Sequence, residues 1–189
     1  SLDAGLQQEP MKDHGEKPYI PRYVPTSPPQ GDSGAVKEAA RLLAQAQNPV
    51  IVVDRAARTP AGVGLLVQLA ELLQARVIDQ GGRMNFPTRH PLNQSSSGRQ
   101  LLANADVILG LELTDFWGTV DTYRDSLVRS SRSILKPGTK LISITAGDLY
   151  IKGNYQDFQR YPEVDIAMAA DAEATLPALI EACKQGVTA

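Results

Sequence analysis

Asn48-Pro49-Val50-Ile51-Val52-Val53 ends one helix, begins one strand, and sets a pattern that the chain repeats along its length. Upstream, Ser33 stands as a plausible N-cap, and Val36, Ala39, Ala40, Leu43 and Ala46 recur at helical spacing before Asn48-Pro49 stops the helix. Val50 to Val53 then form an unbroken run of β-branched apolar residues. A strand apolar on both faces belongs to a parallel sheet covered by helices. Downstream, Thr59-Pro60 caps and starts a helix through Val63, Leu66, Leu69, Ala70 and Leu73, and Arg76-Val77-Ile78 reads as the next strand. A helix near Gly98 to Ala103, a strand at Asp106 to Leu109, a helix around Val120 to Val128, a strand at Leu141 to Thr145 and a short strand near Asp165 to Met168 follow. Leu176, Leu179, Ile180 and Cys183 share one face of a C-terminal helix, and Pro177, tolerated only in a first turn, places its start near Thr175. The fold class expected is α/β: a doubly wound, mostly parallel open sheet with helices on both faces, Rossmann-like. Such sheets bind ligands beyond the carboxyl ends of their strands.

Residues 1 to 30 read differently. They hold six of the thirteen prolines and a polar stretch from Gln7 to Lys17, the composition of an extended linker. The expected organisation is therefore a linker over 1–30 and one Rossmann-like domain over 31–189. The opening Ser1 and the thirty residues of connecting material suggest a piece of a longer polypeptide. Composition adds exclusions. The hydrophobic content is 42% and the net charge is -2. The basic residues Arg124, Arg129, Arg132, Lys136 and Lys140 are accompanied by Asp121 and Asp125, which argues against a nucleic-acid partner, since such partners need an uncompensated basic face. No apolar run approaches the roughly 20 residues of a membrane span, and no signal peptide opens the chain, so no membrane partner is expected and the cytoplasm is the default. Cys183, the lone cysteine, reads as a small core residue in a reducing compartment.

The strand ends lack the familiar ligand motifs. After Val53 comes Asp54-Arg55-Ala56-Ala57-Arg58 instead of a glycine fingerprint, and Gly62-Val63-Gly64 lies inside the predicted helix without a third glycine. Those two glycines read as helix-sheet packing positions. Gly81-Gly82 follows the second strand and reads first as a turn requiring positive φ, with a ligand-facing backbone as the alternative. No P-loop, zinc-ligand spacing or Gly-x-Ser-x-Gly elbow is present, so no metal ligand is assigned. Phe116, Trp117 and Tyr123 can line a cleft, but a core or interface role is preferred. Asn85-Phe86-Pro87-Thr88-Arg89-His90-Pro91-Leu92 places His90 in a loop between two strand-helix units. On the residues alone, a hydrogen-bonded loop histidine is the better reading of His90.

Several of these segments in order resemble the central domain of thiamine diphosphate-dependent enzymes, the family of acetohydroxyacid synthases, pyruvate oxidases and benzoylformate decarboxylases. Ser1 to Leu6 resembles the end of a preceding pyrimidine-binding domain, and Ala46-Gln47-Asn48-Pro49-Val50-Ile51 the entry to the first central strand. Phe86-Pro87 with His90-Pro91-Leu92, and Leu135-Lys136-Pro137-Gly138-Thr139-Lys140-Leu141-Ile142-Ser143-Ile144, are similar to later family motifs, so that the resemblance covers about residues 1 to 186. Phe86 to Pro91 together with Leu135 to Thr139 most resembles the benzoylformate decarboxylase branch. That resemblance implies proton transfer to a cofactor-bound intermediate by His90, a role suited to an imidazole.

The resemblance also implies that thiamine diphosphate and magnesium are bound by the pyrimidine- and diphosphate-binding domains outside this chain, with the parent a homodimer or homotetramer. The isolated domain is then expected to be inert, as a scaffold within a 2-oxo acid decarboxylase or carboligase. Some members hold FAD on this domain. Here Asp54 to Arg58 replaces a glycine-rich loop, and Leu111-Glu112-Leu113-Thr114-Asp115 puts carboxylates where an arginine is usual, which disfavours FAD or ADP. An acetohydroxyacid synthase-like transferase carrying FAD or a degenerate nucleotide site is the alternative parent. A free-standing nucleotide-binding module is the alternative of another class.

Overall fold

A computed structural model describes residues 4–8, 19–22, 27–125, 130–150 and 162–187. Within the stretch expected to be extended, Ala4–Gln8 form a short helix, α1. The expectation fails there because Ala, Leu and Gln are good helix formers and the first proline is Pro10. Residues 19–22 and 27–32 carry no regular structure.

The domain begins with α2 (Ser33–Gln45), which Asp32 and not Ser33 caps: the Asp32 carboxylate accepts from the backbone N–H groups of Gly34 at 2.9 Å and Ala35 at 3.0 Å. Adjacent cap-forming residues are indistinguishable by type, and the register of the apolar stripe decides between them. Strand β1 (Pro49–Val53) follows, buried at all five positions. Helix α3 (Pro60–Leu73) starts as expected, with Thr59 Oγ1 accepting from Gly62 N–H at 3.1 Å. Then come β2 (Arg76–Asp79), α4 (Gly98–Asn104) and β3 (Val107–Leu111).

The helix expected over Val120 to Val128 is corrected up to Asp125; residues 126–128 lie outside the described residues. The chain forms a short α5 (Phe116–Val120), then β4 (Asp121–Asp125) pairs antiparallel with β5 (Ser130–Ser133). Thr122 and Tyr123 favour a pleated backbone, and the pairing supplies the partner a strand requires. The sheet resumes with β6 (Lys140–Ile144) and β7 (Ile166–Met168), and the chain closes with α6 (Ala172–Val187). Helix α6 begins three residues before the expected Thr175, leaving Pro177 inside it. Pro177 is exposed, so the carbonyl that loses its partner, that of Glu173, lies on the solvent side.

The main sheet has the order β2-β1-β3-β6-β7, all parallel. Renumbered within the sheet this is 2-1-3-4-5, the flavodoxin-like doubly wound order, whose strand direction of growth reverses between β1 and β3. Alternate residues feed two cores. Ile51, Val53, Val77, Leu109, Leu111, Ile142 and Ile144 join the apolar stripes of α2, α3 and α6 on one face. Val50, Val52, Ile78, Ile108 and Leu141 pack with Leu102 of α4 and with Phe116 and Val120 of α5 on the other. Both faces of β1 are thus dry, which is why four successive β-branched residues suit it. Among the described residues, no helix is long and apolar enough to cross a membrane.

Candidate functional site at the carboxyl edge of the sheet

The switch point between β1 and β3 is where a doubly wound sheet opens a crevice for a ligand. Here the chain fills it with its own groups. Asp54, the first residue after β1, is only 7% exposed, and its Oδ2 accepts from Thr114 Oγ1 at 2.6 Å across the switch point. The Asp54 N–H donates to Leu111 O at the end of β3. Gly82 closes the crevice from the side of β2, since a Cβ there would lie 1.8 Å from Asp54 Oδ1. The turn reading of this glycine pair holds at Gly81, whose φ is 79°, whereas Gly82 serves close approach to a carboxylate.

Asn85 joins the loops after β1 and β2. It is fully buried, and its Oδ1 accepts from the N–H groups of Ala56 and Ala57, each at 3.1 Å. Its Nδ2 donates to Asp54 O, to Asp79 Oδ1 at 3.0 Å and to Arg83 O at 2.9 Å. Asp79 completes the joint by accepting from the backbone N–H groups of Gly81, Asn85 and Phe86. The sequence showed Asn85 only as the start of a loop motif. Its role depends on remote backbone groups that no local pattern marks.

Two further carboxylates bind the remaining strand ends together. Glu112, held in the left-handed region at φ 50°, accepts through Oε2 from Thr145 Oγ1 and Ala146 N–H, each at 3.0 Å, and through Oε1 from Ala172 N–H at 2.9 Å. Glu173 accepts from the N–H groups of Arg58 and Thr59 and from Thr59 Oγ1 at 2.7 Å. Burial opposes ionisation of Glu173, but these hydrogen bonds and the nearby Arg58 charge hold its carboxyl below the usual glutamate value. The two glycines expected to pack on the sheet do neither: Gly62 lies against the Glu173 side chain, and Gly64 is exposed. Phe116 is buried in the second core, and Trp117 is half-buried beside it. The Tyr123 side chain lies outside the described residues.

The cofactor fit follows from these donors. A dinucleotide pyrophosphate needs free backbone N–H groups at the first strand-helix turn. Those of Ala56 and Ala57 already donate to Asn85, and those of Arg58 and Thr59 to Glu173. The Asp54 and Glu112 carboxylates add repulsion. These residues do not fit a nucleotide. Among the described residues, no three His, Cys, Asp or Glu side chains gather as metal ligands. A separate open cleft of about 340 Å³ between β2, α4 and α5 is bridged by a hydrogen bond from Gln80 Nε2 to Thr119 Oγ1 at 2.8 Å.

His90 lies elsewhere. The chain returns after Pro87 to run parallel beside β2, with Asn93 opposite Val77, and His90 precedes that bridge. Its Nδ1 accepts from Leu92 N–H at 3.2 Å, which assigns the proton of the neutral ring to Nε2. Nε2 is 3.2 Å from Glu71 Oε1, in the last turns of α3. The ring meets Phe86 edge-on, with centroids 4.9 Å apart. His90 therefore sits toward the amino end of β2, with both ring nitrogens engaged, and the structure does not bring it together with the switch point.

Residues 36–179 match the family model for the thiamine pyrophosphate enzyme central domain. A curated relative, sulfoacetaldehyde acetyltransferase of Roseovarius nubinhibens, is 36% identical over 101 residues, spanning 49% of this chain and 17% of that protein. Two solved structures share the fold. A thiamin diphosphate-dependent enzyme of Mycobacterium smegmatis gives a TM-score of 0.60 at 20% identity, and benzoylformate decarboxylase of Polynucleobacter necessarius gives 0.61 at 18%. Each match covers 88% of this chain and 30% of the other. The chain thus spans less than a third of the proteins it matches. With the family model covering most of its length, the chain belongs to the central-domain family of thiamine pyrophosphate enzymes.

Proposed function

We propose that this domain serves a larger thiamine diphosphate-dependent 2-oxo acid decarboxylase or carboligase as a scaffold that holds no nucleotide of its own. The carrying observation is the occupied carboxyl edge: the donors and space a nucleotide would need are taken by Asp54, Asn85, Glu112 and Glu173. On this reading residues 1–30 are the linker from a preceding pyrimidine-binding domain, and 31–189 are the domain itself. A diphosphate-binding domain completes a cytoplasmic homodimer or homotetramer, and thiamine diphosphate and magnesium lie on those other domains. The 36% match to an acetyltransferase favours a second reading, in which the parent transfers the two-carbon unit instead of releasing it.

His90 enters as the candidate proton-transfer group. For that role one ring nitrogen must exchange its internal partner for the reacting molecule, and the Nε2 contact to the exposed Glu71 is the one available for exchange. The test is turnover of benzoylformate and pyruvate by the full-length protein with thiamine diphosphate and magnesium, for wild type and His90→Ala. A loss of about 100-fold with folding intact places His90 in proton transfer, the scale of general acid-base catalysis. Unchanged turnover makes it a loop residue. Turnover by this domain alone, absorbance near 450 nm, or nucleotide released on denaturation refutes the scaffold reading.

A further inference from the structure

Three separate segments meet at the start of α6. The chain preceding α2 is fastened there by two hydrogen bonds: Asp171 N–H donates to Pro29 O at 2.9 Å, and Gly31 N–H donates to the fully buried Thr175 Oγ1 at 3.0 Å. Gly31 is fitted closely, since a Cβ would come within 2.9 Å of Met168 Sδ and 3.2 Å of Thr175 Cγ2. The loop after β1 is fastened to the same turn from the other side. The Arg58 guanidinium pairs with the Asp171 carboxylate, which is 4% exposed and also caps α6 by accepting from Ala174 N–H at 2.8 Å. The Arg58 and Thr59 amides bind Glu173. Asp171 thus touches both strands of the clasp, its amide holding the incoming chain and its carboxylate holding Arg58.

We propose that residues 27–31, the first turn of α6 and the loop over residues 54–59 form one cooperative clasp, so that the incoming segment and the switch-point loop open and close together. The physical reason is shared partners. If Arg58 leaves, the Asp171 carboxylate is stranded nearly buried, and the turn that presents the Asp171 amide to Pro29 and the Thr175 hydroxyl to Gly31 loosens with it. If the incoming chain leaves, the Thr175 hydroxyl loses its donor and the α6 turn is free to shift away from Arg58. Coupling of this kind is reciprocal. Within the scaffold reading, on which it builds, the clasp carries a pull on the incoming segment to the crevice between β1 and β3.

The clasp supplies its own reporters, because the amides of Gly31, Arg58, Thr59 and Asp171 are hydrogen-bonded only while it is closed. Hydrogen exchange measured by mass spectrometry on the full-length protein follows peptides over 27–34, 54–62 and 168–176, with β1 and β3 as global references. Arg58→Ala perturbs the loop side at a partly exposed side chain, and Thr175→Val perturbs the incoming-chain side at constant volume. Each is expected to raise exchange in all three peptides by roughly tenfold, the scale of one lost hydrogen bond or more, with the references unchanged. Thr175→Ser, which keeps the hydroxyl, is expected to restore protection in all three. Effects confined to the side of each substitution would overturn the clasp. Exchange is read without cofactor or turnover, so failure of the clasp and failure of the enzymatic reading register in different experiments. Where Thr175→Val raises exchange globally, Arg58→Ala alone decides: protection of 27–34 either falls, as expected, or holds, which overturns the proposal.

Discussion

Replacing Asn85 by alanine strands more backbone groups than any other single truncation at the carboxyl edge described above. The side chain is fully buried and accepts from two amides that are themselves nearly buried, those of Ala56 at 3% exposure and Ala57 at 4%. Each orphaned amide costs about 1–3 kcal/mol, and the lost donations to Asp54 O, Asp79 and Arg83 O add to that. The terms share a cavity and will not add fully. Water entering the vacated space will recover part of them, so about 3–5 kcal/mol is the working figure. Against a native stability of about 5–15 kcal/mol this is a large fraction, and at about 2–4 °C per kcal/mol for a chain of this size it lowers Tm by roughly 10 °C. Urea unfolding of the chain, followed by circular dichroism, measures it directly. Asn85→Asp supplies the control: it keeps an acceptor for the two amides but sets a carboxylate against Asp54 and Asp79, so its deficit is largest at neutral pH and shrinks as pH falls and the new group protonates. A cost under 1 kcal/mol for Asn85→Ala would show that the two loops do not depend on this joint.

Gly82→Ala drives a methyl group into the Asp54 carboxylate and is expected to destabilise the chain by about 1–3 kcal/mol, measured by the same unfolding assay, while Gly64→Ala, with open space around it, is neutral or stabilising. Cys183 is fully buried and its thiol is pushed up to about 11 by burial, so it stays unreactive to a thiol reagent at pH 8 until denaturant unfolds the domain. Glu173→Gln tests the pH dependence of the clasp. Because the folded carboxyl lies below its ordinary value of 4.5, its contribution is present above that value and is lost as pH falls through the folded one. The stability gap between wild type and variant is expected at neutral pH and narrows as pH falls below 4.5 through the lowered folded value; a gap that persists undiminished in acid contradicts the assignment.

The parallel sheet was legible because burial on both faces leaves a compositional mark, four β-branched residues in a row, that polar loops do not dilute. Thr59-Pro60 was legible because capping is local chemistry. The hairpin of β4 and β5 was not, since Asp121 to Asp125 acquires its strand character from a partner segment beginning at Ser130. Nor was the start of α6, where the Asp171 cap and its pairing with Arg58 outweigh the preference of Pro177 for a first turn. The carboxyl edge was half legible. Asp54 and Glu112 were visible as charges hostile to a pyrophosphate, but that Asn85 and Glu173 consume the amides a pyrophosphate would use follows only from contacts between residues tens of positions apart.

Those contacts bear on why a doubly wound sheet can persist without a ligand at its switch point. Strand ends in such a sheet present backbone donors to a crevice, and buried donors left without acceptors are costly. A bound nucleotide meets that demand from outside the chain. Here the demand is met from inside, by one amide oxygen and two carboxylates, each contributed by an element other than the one it satisfies: Asn85 serves the loop after β1, Glu112 serves the turn after β6 and the start of α6, and Glu173 serves the start of α3. The internal acceptors do what a ligand does for the loops, tying neighbouring strand ends into one surface, and they do so at any ligand concentration. A domain stitched in this way suits a scaffold, because its strand ends are joined by its own side chains and need no ligand to hold them together.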